Sequence, residues 1–152
     1  MTDPAVVVRQ AVAGDVPRLV SLIGLGALVP VDDPTDLAPY RAALDEISGT
    51  PGCAVLVAER DGEVVGMCQL IVFRHFQQSG GRCAEVESVH VHPDHRAQGI
   101  GGVLLEAAVD QAAAAGCYRV QLTSNKARTD AHRFYERHRF VPTHEGYKRL
   151  LD

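Results

Sequence analysis

Between His90 and Gly102 the chain reads HVHPDHRAQGIGG, and two kinds of chemistry overlap in it. The first half sets His90, His92, Asp94 and His95 in an H-x-H-x-D-H spacing. Neutral imidazoles and a carboxylate suit zinc, so a metal-dependent hydrolase is one reading. The second half runs Arg96-Ala97-Gln98-Gly99-Ile100-Gly101-Gly102, an R-x-x-G-x-G pattern. Glycines without a Cβ let a polyphosphate approach the backbone closely. Successive N–H groups at a helix N-terminus then point at that anion, the helix dipole favours it, and Arg96 adds a positive side chain. No Lys-Ser/Thr follows the second glycine, so this is not the Walker loop, and the dinucleotide fingerprint G-x-G-x-x-G is also absent.

The surroundings favour the second half. A catalytic metal site of the first kind draws further ligands from distant segments. The histidines left for it are His75, His132, His138 and His144, two of them within one short predicted helix. The glycines, by contrast, stand between a strand and a helix, where an anion cradle belongs. A glycine pair before a helix is also common as a purely structural turn.

The elements that must position this loop follow from periodicity. Val6 to Arg9 reads as a strand. Asp15 reads as an N-cap, with Pro17 in the first turn of a helix carrying Val16, Leu19, Val20 and Ile23. Gly24 to Pro39 is loop-like, and a second helix is expected around Tyr40 to Ile47. Cys53–Glu59 and Val64–Phe73 are β-rich runs joined through Asp61-Gly62, a strong hairpin signal. Arg82 to Val91 is a strand ended by Pro93-Asp94. Gly101 to Ala115 is a helix with an apolar stripe of Leu104, Leu105, Ala108, Val109 and Ala112, and Gly116 is placed as its C-cap glycine. Tyr118–Thr123 is a strand and Thr129–His138 a helix with Ala131, Phe134, Tyr135 and His138 on one face. Phe140–Thr143 and Tyr147–Leu151 would close the sheet as a final pair. The order β-α-α-β-β-β-α-β-α-β-β predicts an α/β (α+β) fold, a mixed sheet flanked by helices.

Bulk properties bound the rest. The 152 residues predict one domain, spanning 1–152, with a substantial core. A formal charge of −4 argues against nucleic acid as the main partner, because phosphate contact needs a basic face. No stretch approaches the roughly 20 apolar residues of a membrane helix, and the N-terminus lacks the layout of a signal peptide. Cytoplasmic location is therefore expected. Cys53, Cys68, Cys83 and Cys117 are scattered, which predicts reduced, mostly buried thiols rather than a disulfide framework.

The run VESVHVHPDHRAQGIGGVLLEAAVDQAAAAG resembles the acetyl-coenzyme A binding core of the GNAT N-acetyltransferase superfamily, where R/Q-x-x-G-x-G/A follows a strand. VQLTSNKARTDAHRFYERHRF resembles the same superfamily's later strand and A-x-x-F-Y helix. The resemblance covers nearly the whole chain. It implies the GNAT fold, with a twisted sheet of six to seven strands and about four helices. It also implies an N-acetyltransferase that moves an acetyl group from acetyl-CoA to a primary amine by direct transfer in a ternary complex, with no metal. A non-catalytic acyl-CoA-binding or regulatory module is the alternative from another class.

The resemblance also implies residue roles. The strand edge Val89, His90 and Val91 would splay at a bulge and face the pantetheine arm. Arg96, Ala97, Gln98, Gly99, Ile100, Gly101 and Gly102 would hold the pyrophosphate, and Asn125 would contact the pantetheine arm or else cap a turn. Tyr135 would face the cofactor sulfur and protonate the leaving thiolate. An amine is protonated at neutral pH and needs a base. Glu85 and Glu87 are the candidates, Glu87 ahead, and strand alternation places both on one face with Val89 and Val91 while His90 points away. One departure is His138-Arg139-Phe140, where the family often has a glycine before the phenylalanine. The acceptor, a small-molecule or peptide amine, would meet the Gly24–Pro39 loop, with Asp32, Asp33 and Asp36, and the His144–Leu150 tail. A homodimer is compatible with the family.

Overall fold

The computed structural model describes residues 5–30 and 33–151. Five strands form one mixed sheet in the order β1-β2-β3-β4-β5: Val7–Gln10, Ala54–Arg60, Glu63–Arg74, Arg82–Val91 and Cys117–Gln121. Neighbours are antiparallel except β4 and β5, which run parallel and are connected through a helix, as a parallel pair requires. The helices are α1 (Val16–Gly26), α2 (Ala38–Gly49), α3 (Gln77–Gly80), α4 (Ile100–Ala114) and α5 (Thr129–Arg137). Of these, α3 is a single turn in which Gln78 and Ser79 have left-handed backbone angles. The expected four longer helices are present. Among the described residues no helix is long and apolar enough to cross a membrane.

Strand alternation splits the sheet's side chains between two cores. Leu56, Val65, Cys68, Leu70, Ala84 and Val86 pack under α4, which contributes Ile100, Leu104, Leu105, Ala108 and Ala112. On the opposite face Val55, Val57, Val64 and Met67 meet Val16, Leu19, Val20 and Leu22 of α1 and Leu44 of α2. The β2–β3 hairpin turns at Asp61 and Gly62, with φ of 53° and 79°, the two positive angles that an Asp-Gly pair tolerates in a tight hairpin. Gly116 follows α4 with φ 78°, as a C-cap glycine should.

Two expectations fail. The last pair of strands does not form: no strand is present among residues 138–151, so the sheet has five strands rather than six or seven. Pro142 has no N–H to donate to a ladder. Val141, Tyr147, Leu150 and Leu151 are each more than 70% exposed, so the segment has no buried face to fix its register. Asp15 stands at the N-cap position of α1, but its side chain makes no cap bond there. Its carboxylate turns back instead to accept the Val12 N–H at 2.8 Å and two bonds from the Arg9 guanidinium at 2.8 and 3.0 Å. Arg9 also donates to Glu59 of β2 at 2.9 Å, so one cluster ties β1, β2 and the start of α1 together.

Arg9 donation holds the Asp15 carboxyl below its usual range against the opposing effect of burial. A depressed folded-state pKa gives stability that is complete above about pH 4 and lost as pH falls through the folded value. Asp15→Asn should therefore lower stability at pH 7 by about 1–3 kcal/mol. Its denaturant midpoint should also fall less steeply than wild type between pH 4 and 2.

Candidate active site

The site is built where β4 changes partners. Pairing with β3 runs from Arg74↔Arg82 to Gln69↔Glu87 and resumes at Met67↔His90. Ser88 and Val89 therefore stand opposite the single residue Cys68. This is a β-bulge, and Ser88 carries its positive φ of 52°. On the other edge, the parallel pairing with β5 ends at Glu85↔Gln121. Among the described residues no strand lies beside that edge of β4 from Val86 to Val91.

The bulge overturns the expected facing of the strand. Residues paired across a ladder share a face, so Glu87 lies with Gln69, and His90 with Met67, on the α1 side. Val89 and Val91 pack instead against the α4-side core. Glu85 and Glu87 thus share their face with His90, not with Val89 and Val91, because one extra residue reverses every later side chain. His90 is packed beneath the end of α1: a β-carbon on Gly26 would collide with its ring. Burial, then the charges of Arg128 and Arg96, lower the His90 pKa, which keeps the ring neutral at pH 7.

Past β4, Pro93–His95 form one 3-10 turn. Ala97 and Gly99 then take φ of 59° and 81° before α4 begins at Ile100. The first helical bond of α4 runs from Val103 N–H to the Gly99 carbonyl at 3.1 Å. Among the described residues the N–H groups of 97–102 donate to no protein acceptor, a free row at the positive end of a 15-residue helix. The loop is braced from outside. Gln98 accepts from Arg60 Nη1 at 2.5 Å and donates to the Asp94 carbonyl at 3.1 Å. Arg96 Nε donates to the Val91 carbonyl at 3.1 Å. Gly101 and Gly102 admit close neighbours, since added β-carbons would lie 3.3 Å from the Phe134 ring and 2.8 Å from that of His138.

Of the four residues of the metal spacing, His90 is set apart from His92, Asp94 and His95, which stay together in one turn with the His92 and His95 rings 5.8 Å apart. His90 lies under Gly26, His92 Nδ1 accepts the Asp94 N–H at 3.3 Å, and the Asp94 side chain is 86% exposed. Among the described residues no three His, Cys, Asp or Glu side chains converge as a metal site would need.

Tyr135 of α5 is half-buried against the α4-side core, with its ring beside Phe134 and Phe140. Its hydroxyl makes no hydrogen bond among the described residues. Burial raises its pKa, while Arg128 lowers it and Cys68 and Glu87 raise it further. Glu87 is likewise raised, first by burial and then by the neighbouring Glu85 charge, with Lys148 opposing. Glu85 is held differently, accepting from Gln121 Nε2 at 3.1 Å across the last paired rung. Asn125 uses Oδ1 to accept the Ala127 N–H at 2.9 Å, a turn-capping role in which its amide NH2 donates to no acceptor among the described residues. The missing family glycine is replaced by strain, since Arg139 itself adopts φ 68° and α5 ends where expected.

On the acceptor side, Asp33 caps Thr35 and Asp36 accepts the Ala38 N–H at 3.2 Å, so both serve their own loop. Asp32 lies outside the described residues. Two residues escaped the sequence reading. Arg60 had no local signal, because its partner Gln98 is 38 positions away. Arg128 stood in plain view in the SNKAR run, but its hydrogen bond to the Gly26 carbonyl spans 102 positions.

Among the described residues no atom lies within 4 Å of where a β-carbon on Gly99 would sit, so the cost of a side chain there is one of backbone conformation. Gly99→Ala should lose about 1–2 kcal/mol in denaturant unfolding, with the native secondary structure retained by circular dichroism.

Residues 21–140 match the family model described as "Acetyltransferase (GNAT) family". The chain is 36% identical over 115 residues to the aminoalkylphosphonate N-acetyltransferase of Salmonella typhimurium, covering 74% of each. It is 38% identical over 81 residues to the L-amino acid N-acyltransferase MnaT of Escherichia coli, covering 53% of this chain and 46% of that one. A protein of Bacillus halodurans C-125, solved as a transcriptional regulator, superposes with a TM-score of 0.90 at 32% identity, over 97% of this chain and all of that one. The chain belongs to the acetyltransferase (GNAT) family, and it is an N-acetyltransferase, an enzyme that passes an acyl group to an amine.

Proposed function

We propose that residues 1–152 act as one acetyltransferase domain that takes acetyl-CoA as cosubstrate and a small-molecule primary amine as acceptor, with direct transfer in a ternary complex. The observation that carries the cosubstrate assignment is the row of free N–H groups at residues 97–102, at the head of α4 and beside the opened edge of β4. In this reading Arg96, Ala97, Gln98, Gly99, Ile100, Gly101 and Gly102 hold the pyrophosphate. The edge at Val89, His90 and Val91, with the free amide of Asn125, holds the pantetheine arm. The relatives named above act, by their names, on aminoalkylphosphonates and L-amino acids, which are small amines rather than proteins.

Glu87, the carboxylate whose proton affinity is raised, removes a proton from the acceptor ammonium, directly or through water. Glu85 sits beside it and supports its raised pKa. The amine lone pair forms the C–N bond, the C–S bond breaks, and the departing thiolate takes the Tyr135 proton. The proton still to leave the new amide nitrogen returns to Tyr135 through solvent. The raised Tyr135 pKa suits an acid that must be protonated at pH 7. An acyl-cysteine route has little support, because Cys68 and Cys83 are fully buried and burial pushes the Cys68 thiol up to about 12. The free cysteines fit a reducing compartment such as the cytoplasm. A homodimer would give the exposed Tyr147, Leu150 and Leu151 a surface to meet.

The Bacillus halodurans neighbour, solved as a transcriptional regulator, favours a second reading, an acyl-CoA-binding module that has lost transfer. Native mass spectrometry with added acetyl-CoA, followed by thiol release across a panel of amines, separates the two. The first reading expects uptake of one acetyl-CoA per chain and amine-dependent thiol release, and uptake without release supports the second. Tyr135→Phe should lower kcat by about 10²–10⁴-fold while keeping acetyl-CoA uptake. In the wild type kcat/KM should fall as pH drops through the Glu87 pKa, which lies above the ordinary carboxylate range, and Glu87→Gln should lack that acid limb.

A further inference from the structure

Arg128, like the Lys148 whose charge opposes the raised Glu87 pKa, is a cation of this region for which the transfer chemistry has no use. It lies at the head of α5, half-buried, and one guanidinium nitrogen, Nη2, donates to the Gly26 carbonyl at 2.5 Å. This bond bridges α5 to the last residue of α1. Gly26 in turn covers the His90 ring, so Arg128, Gly26 and His90 form one cluster on the α1 side of β4. That is the face on which the bulge also sets Glu87. Among the described residues no carboxylate pairs with Arg128, and its remaining N–H donors have no partner.

The two ends of this face are opposite in charge. Glu87, backed by Glu85, makes one end acidic. Arg128 makes the other basic, beside the Gly26 that covers the His90 ring. The charges of both Arg128 and Glu87 act on the Tyr135 phenol. A guanidinium that is fixed by one backbone bond keeps its other donors in a rigid plane, the arrangement that matches a carboxylate or phosphonate.

We infer that Arg128 is a specificity-determining residue that holds an anionic group of the acceptor, so that this site selects small amines bearing a carboxylate or phosphonate over uncharged amines. The inference rests on the acetyltransferase reading and narrows its acceptor to a bipolar molecule, with its ammonium toward Glu87 and its anion toward Arg128. Glycine at position 26 belongs to the same device. A side chain there would displace the His90 ring and the carbonyl that anchors the guanidinium.

The test compares acetylation of 3-aminopropylphosphonate with that of propylamine, and of L-alanine with that of L-alaninamide, in the wild type, Arg128→Gln and Arg128→Lys. Acetyl-CoA uptake and melting temperature are followed in parallel. The wild type should have the higher kcat/KM for the anionic member of at least one pair. Arg128→Gln should reduce that anionic-to-neutral ratio tenfold or more, mainly through the KM of the anionic acceptor. Arg128→Lys, which keeps the charge but not the planar fork, should fall between them and supplies the comparison if the glutamine variant does not fold. A wild type that prefers the neutral members, or whose ratio is the same in folded Arg128 variants, overturns the inference and leaves the acetyltransferase reading standing. A wild type that holds acetyl-CoA but turns over none of the four overturns the inference and supports the module without transfer. Failure of the wild type to take up acetyl-CoA would instead overturn both the inference and the acetyltransferase reading.

Discussion

The constraint on which the rest of the molecule depends is the single extra residue in β4 at Ser88. A strand that pairs regularly on both edges offers no backbone to a ligand and keeps a strict alternation of faces. The bulge inserts one residue opposite Cys68, just beyond the last rung between β4 and β5 at Glu85 and Gln121, where β5 itself ends. It also lets the strand keep its apolar residues on one core on both sides of the bulge. Ala84 and Val86 before the bulge and Val89 and Val91 after it all pack toward α4, while Glu87 and His90 are delivered to the α1 side. The positive φ at Ser88 costs conformational energy that the packing of both cores must offset.

From that opening the other parts take their positions. Hydrophobic packing fixes α4 against β3 and β4 through Leu104, Leu105 and Ala108, and this places its N-terminal N–H row beside the freed strand edge. The amphipathic face of α5 sets Phe134 and Tyr135 on the same core. Its first residues reach across to α1 through Arg128. The site is therefore assembled from four segments, each held by the packing of a different element.

Much of this was legible in the chain. The Asp61-Gly62 hairpin, the glycine loop before α4 and the apolar stripes of α1 and α4 are local patterns, and each element lies within a few residues of its expectation. What was not legible depends on distant partners. Nothing in the residues around Ser88 announces a left-handed serine, so plain alternation put Val89 and Val91 on the wrong face. The tail from Phe140 has the composition of two strands, but pairing needs a surface to bury against, and residues 141–151 are exposed throughout. Arg60 and Arg128 acquire meaning only when the fold brings Gln98 and Gly26 to them.

The brace on Gln98 carries a consequence for how a cosubstrate would be held. Loops that order on ligand arrival spend part of the contact energy on lost chain entropy. Here the amide of Gln98 is held at both ends, by Arg60 from the β2–β3 hairpin and by the Asp94 carbonyl, two bonds within the protein that restrict the loop. Preorganisation of this kind is supplied by a hairpin that takes no part in the chemistry. Sequence drift at that distant turn would then register as looser cosubstrate grip, with the transfer step itself untouched.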